Sequence, residues 1–120
     1  LAAAAIEAAG YACNIVNQMG HDIIMYVDGL PVRVEVKACQ KTNKYNQYAY
    51  MVARGSKKKR KLTETEADIL ALVATDVKCV AFKPVRQVHS VRLRIKAEMF
   101  GDEAQSLEKA IREFRLKCDD

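Results

Sequence analysis

The chain has 120 residues, half of them hydrophobic, which is enough for one buried core and too few for two, so a single domain over residues 1–120 is expected. Its 20 Lys and Arg against 15 Asp and Glu leave a net charge of +5, which favours an anionic partner, nucleic acid first. No apolar run nears the roughly 18 residues of a membrane span, and Cys13, Cys39, Cys79 and Cys118 lie far apart without a C-x-x-C pair, which excludes a zinc finger. The cysteines read as buried or idle thiols of a reducing compartment, so an intracellular, cytoplasmic protein is expected. Because the chain opens on Leu1, further sequence is expected upstream.

The opening "LAAAAIEAAGY" predicts the tail of a helix over residues 1–9, closed by Gly10. A short strand follows around Cys13 to Val16. "DIIMYVDGLPVRVEVK" then predicts a β-hairpin, because Asp28-Gly29 suits a type I′ turn and both flanks are β-branched or aliphatic. A two-residue loop sets Met25 against Val32 and Ile23 against Val34, giving one apolar face with Val27 and Val36. The other face receives Asp22 directly opposite Glu35, with Lys37 two positions along. Pro31 falls opposite Tyr26, at a non-hydrogen-bonded pair where its missing N–H is not needed.

Opposed residues on paired strands hold their Cβ atoms about 4.5–5.5 Å apart, so two carboxylates there repel each other. A divalent cation compensates, since hard oxygen donors at that separation share one Mg²⁺ and the Lys37 ammonium holds or polarises a water beside it. The alternative is a solvated cluster in which Arg33, Lys37 and Lys41 neutralise the acids. His21, by strand alternation, points to the opposite face as a packing residue, and His89 has no evident partner.

"YAYMVAR" is a third strand candidate. "SKKKRK", Ser56 to Lys61, cannot be core; a solvated turn, a phosphate-tracking loop and a nuclear-import signal compete, and phosphate contact is preferred. Thr63 and Glu66 form a capping box that argues for a helix. Against it, "DILALVA" and "KCVAFKPV" read as two buried strands joined at Thr75-Asp76, and the strands are preferred because Pro84 bounds the second. "VRLRIK" alternates Val91, Leu93 and Ile95 with Arg92, Arg94 and Lys96, a half-exposed strand with a positive outer face. Asp102 caps a final helix whose Leu107, Ile111 and Phe114 share one stripe.

An Asp at the start of one strand, a hairpin, and Glu-Val-Lys in the next resembles the signature of the PD-(D/E)xK nuclease superfamily, with Asp22, Glu35 and Lys37 as the matching residues. Asp76-Val77-Lys78 repeats the triplet at a predicted turn with no acid on a partner strand, and is a decoy. The order of elements over residues 5–100 is similar to small homing endonucleases of this type and to archaeal-type Holliday junction resolvases. The resemblance implies an α/β fold, a restriction-endonuclease-like αβββαβ core with a central mixed sheet flanked by helices. It also implies Mg²⁺-dependent hydrolysis of DNA phosphodiesters, with Mn²⁺ as a substitute, by a homodimer or higher homo-oligomer placing one site on each strand. A bacterial, archaeal or phage-infected cell is the implied setting, with the nucleus left open by "KKKRK".

Many such nucleases carry a further glutamate on the first helix, well before the Gly-Tyr pair. Glu7 stands too close to Gly10 for that role, and the equivalent is expected before Leu1.

On this reading Asp22 and Glu35 bind metal and Lys37 activates water. Lys41, Lys44, Arg54, Lys57, Lys58, Lys59, Arg60, Lys61, Arg92, Arg94 and Lys96 are candidates for phosphate contacts. Tyr45, Tyr48 and Tyr50 are candidates for base stacking, or for core packing in the case of Tyr48 and Tyr50. A site-specific endonuclease is preferred; a junction resolvase and a non-catalytic nucleic-acid-binding module are the alternatives.

Overall fold

In the computed structural model, residues 1–18, 21–54, 60–64 and 66–118 are described, the side chains at 17–18, 21, 53–54, 60–61 and 116–118 excepted. Helix α1 (Ala2–Ala8) forms from the alanine run and stops ahead of Gly10. Gly10 takes φ 98°, and the N–H groups of Gly10 and Tyr11 turn back to the carbonyls of Glu7 and Ile6. Strand β1 (Cys13–Gln18) leads into β2 (His21–Val27) and β3 (Leu30–Cys39).

Both turn residues of the hairpin have positive φ, 52° at Asp28 and 79° at Gly29. A type I′ turn needs this, and the register follows: Ile23 pairs with Val34, Met25 with Val32, Tyr26 with Pro31. The Tyr26 N–H points the other way, to the Ala12 carbonyl, so Pro31 deprives the β2–β3 ladder of nothing. Ile23, Met25, Val27, Val32 and Val34 are buried on one face, and Val36 packs against them half-buried.

After β3 the chain leaves the main sheet. Strand β4 (Gln47–Met51) stops at Val52, and β5 (Ala53–Arg54) pairs with β6 (Arg60–Lys61). The expected single strand "YAYMVAR" is thus two pieces, because the Val52 N–H is taken by the Val91 carbonyl and its own carbonyl by Leu62. Thr63 and Glu66 do form their box, with both the N–H and the hydroxyl of Thr63 on Glu66 Oε1 at 3.3 and 3.1 Å. It closes a turn, and strand β7 (Ile69–Ala74) follows rather than a helix. β7 hairpins to β8 (Cys79–Pro84) through Thr75–Lys78, two residues longer than the Thr75-Asp76 signal suggested, with Lys78 at φ 55°.

The main sheet runs β1-β2-β3-β7-β8, parallel only where β3 meets β7. β7 is buried at every position because both of its faces are covered. Ile69, Ala71 and Val73 join the core beneath α1 and the C-terminal helix α2 (Glu103–Cys118), together with Ile6, Leu107 and Ile111. Leu70, Leu72 and Ala74 face the other way, against Tyr48 and Tyr50. Those tyrosines are the inward residues of a two-stranded ribbon, β4 with β9 (Arg92–Lys96), so both helices pack on one face and the ribbon on the other. Tyr48 meets Phe100 edge to face at 5.1 Å.

Asp102 caps α2 as expected, accepting from the Gln105 N–H at 3.0 Å. The first turns of α2 close the free edge of β8: Glu103 takes the Val80 N–H and Ser106 Oγ the Phe82 N–H, each at 2.8 Å. An edge whose outward N–H groups are taken by side chains offers another strand no donors there.

Candidate functional site

Strand alternation puts Asp22 and Ile24 of β2 and Arg33, Glu35 and Lys37 of β3 on the face turned away from the helices. Over β7 that face is roofed by the β4–β9 ribbon, with β4 lying against β3. Over β1 and β2 it is open, with Tyr26 exposed and Ile24 half-buried. The three signature residues stand between roof and open platform: Glu35 is 5 % exposed, Asp22 and Lys37 are half-buried.

One detail departs from the expected geometry. The β2–β3 ladder has its last rung at Ile23 and Val34, so Asp22 and Glu35 are not a directly opposed pair. Instead Asp22 Oδ2 accepts the Val36 N–H at 2.9 Å, bringing the carboxylate across to β3 beside Glu35. One Asp22 oxygen, Oδ2, is committed to this bond.

The donor set matches a hard cation. Mg²⁺ is commonly held by one or two carboxylates and completes its shell with water and substrate phosphate, so two acids on neighbouring strands suffice. Among the described residues no group of three or more His, Cys, Asp or Glu forms a fuller cage. Glu7 does not extend the set: α1 packs on the opposite face, and the Glu7 carboxylate lies near the Cys13 thiol, 4.0 Å away.

Arg33 carries an interaction that sequence reasoning missed. Its Nη2 meets Asp68 Oδ1 at 2.9 Å, its Nε and its own N–H meet Oδ2 at 3.2 and 2.8 Å, and the Asp68 N–H returns to the Arg33 carbonyl. The Asp68 hydrogen bond raises the guanidinium pKa above its ordinary value. This pair sits one residue ahead of the first parallel rung, Val34 with Ile69, and so fixes β3 on β7 where Glu35 begins. Asp68 immediately before an unbroken apolar run was the only signal in the sequence. Asp76, the decoy acid, receives the Tyr48 hydroxyl at 2.8 Å on the exposed turn.

Of the expected phosphate contacts, Lys41, Lys44, Arg92, Arg94 and Lys96 are exposed. Lys57, Lys58 and Lys59 lie outside the described residues, as do the side chains of Arg54, Arg60, Lys61 and His21. Tyr45 is 69 % exposed with the Lys44 ammonium 5.1 Å from its ring centre, whereas Tyr48 and Tyr50 are core. Cys13, Cys39 and Cys79 are free, half-buried thiols. A groove of about 470 Å³ between α2, β8 and β9 contains none of the three signature residues. Asp22 and Lys37 are half-buried at the margin of the open platform, while Glu35 is buried. No described helix is long and apolar enough to cross a membrane.

No family model and no curated protein sequence matches the chain. Among solved structures it is similar to a bacterial homing endonuclease, I-Ssp6803I, with a TM-score of 0.61 and 18 % identity, covering 78 % of this chain and 72 % of that one. At that identity the likeness is one of fold: a mixed α/β nuclease-like core with a five-stranded central sheet and two helices.

Proposed function

We propose that this chain is a metal-dependent DNA endonuclease of the site-specific, homing type, working as a homodimer or higher homo-oligomer with one site for each DNA strand. The observation that carries the reading is the meeting of Asp22, Glu35 and Lys37 on one face of β2–β3, in a fold shared with a homing endonuclease. Asp22 and Glu35 would hold Mg²⁺, or Mn²⁺ in its place; bound there, the ion supplies Lewis-acid stabilisation of charge on the phosphoryl oxygens. Lys37, two residues beyond Glu35 on the same face, orients the attacking water and faces the charge that develops on the phosphate. The exposed cations at Lys41, Lys44, Arg92, Arg94 and Lys96 set affinity through the DNA backbone.

A second reading has its own support. The Asp22 carboxylate already serves the fold through the Val36 N–H, as a residue of a non-catalytic nucleic-acid-binding module would. Incubating supercoiled plasmid and a labelled four-way junction with the protein and Mg²⁺, with and without EDTA, separates the cases. Metal-dependent cutting of plasmid is expected. Preference for the junction would make the chain a resolvase, and binding without cutting would make it the module.

A further inference from the structure

The outward face of the β4–β9 ribbon carries Gln47, Ala49 and Met51 on one strand, registered with Lys96, Arg94 and Arg92 on the other. The three cations are exposed, β4 and β9 contain no acid, and none of the three forms an ion pair among the described residues. We infer that this face is a duplex-reading surface that enters the DNA major groove, with Arg92, Arg94 and Lys96 on phosphates and base edges and the Gln47 amide beside them. The inference rests on the nuclease reading only for where the duplex goes next, not for the contact itself.

Dimensions select the groove. Two paired strands lie about 4.8 Å apart and, with side chains, fill the roughly 12 Å width of the major groove but not the roughly 6 Å of the minor. Five residues of strand run about 17 Å, the rise of about five base pairs. Dimensions also connect ribbon to site. Packed layers stand about 10 Å apart and the major groove is about 8.5 Å deep. A ribbon seated in the groove therefore lets the flanking phosphate backbone descend beside β4 to the level of the main sheet, where Asp22, Glu35 and Lys37 stand.

The test is binding in EDTA, where no cutting occurs, read by fluorescence anisotropy with the whole chain. The probes are a mixed-sequence duplex and the same duplex with glucosylated 5-hydroxymethylcytosine, which fills the major groove and leaves the phosphates alone. Tenfold or greater weakening on the glucosylated duplex is expected. The variant R92Q/R94Q/K96Q, confirmed folded by circular dichroism, should lower the slope of log K against log salt by about 2, each phosphate contact contributing about 0.9. Equal affinity for the two duplexes overturns the groove assignment, as does an unchanged salt slope or an absence of duplex binding by the parent chain. A parent that binds with the groove signature yet never cuts with Mg²⁺ sinks the nuclease reading and leaves the ribbon standing.

Discussion

The carboxylate of Asp22 and the backbone N–H of Val36 are joined by a 2.9 Å hydrogen bond, one step past the last rung between β2 and β3. The side chain takes the place of the backbone carbonyl that a longer ladder would have supplied, and in doing so stands beside Glu35. Asp22→Asn keeps an acceptor oxygen and relieves repulsion, so its stability is expected within about 1 kcal/mol of the parent, whereas Asp22→Ala loses about 1–2 kcal/mol. Both should abolish metal-dependent cleavage. Thermal melts run beside plasmid cleavage decide the point: an Asn variant that cuts normally assigns Asp22 to structure alone.

Lys37 has no backbone duty of that kind. Lys37→Ala should leave duplex binding within a few-fold of the parent while reducing cleavage by about 10²-fold or more, the usual range for a side chain that handles a proton or a developing charge. Binding in EDTA and single-turnover cleavage in Mg²⁺ give the two numbers. Parallel loss of both would make Lys37 a binding residue.

Asp68 anchors the part-buried Arg33 guanidinium in two directions and accepts the Arg33 N–H as well. Removing it takes the acceptor from the Arg33 N–H and Nε where β3 joins β7, while Nη2 keeps the Glu64 carbonyl at 2.7 Å. Asp68→Ala is expected to lose about 2–3 kcal/mol, and Asp68→Asn less, because the amide oxygen still serves the Arg33 N–H. Urea denaturation of the two variants checks the order; an alanine variant as stable as the parent would show that the parallel rungs hold the register unaided.

Tyrosines govern the alkaline limit. Tyr48 is pushed up to about 12 from an ordinary 10.0, first by its hydrogen bond to Asp76, and Tyr11 likewise by its hydrogen bond to Glu108. The folded state thus favours the protonated phenols. Their contribution is complete below the unfolded value of 10.0 and is lost as pH rises towards about 12. Stability measured by denaturant at successive pH values should fall across that window, and less steeply in Tyr48→Phe. A flat profile between those limits would contradict the two hydrogen bonds.

The hairpin was legible because its information is local: Asp28-Gly29 sets the turn, and alternation sorts Ile23, Met25, Val32 and Val34 from Asp22, Arg33, Glu35 and Lys37. The same holds for the basic outer row of β9 and for Asp102 at the start of α2. What the chain alone left open depends on partners distant in sequence. Thr63 and Glu66 satisfy one another whether or not a helix follows, so the box did not choose the structure; burial of both faces of "ILALVA" between helices and ribbon did. Tyr48 and Tyr50 read as one more strand of a sheet until Leu93 and Ile95 of β9 gave their strand a partner outside it. The sequence by itself determined which residues share a face, since side-chain direction in a strand follows from backbone geometry. Only the tertiary structure decided where the ladder stops, that Arg33 belongs to Asp68, and that Asp22 reaches Glu35 by way of the Val36 N–H, because each depends on which polar groups remain unsatisfied once the layers have packed.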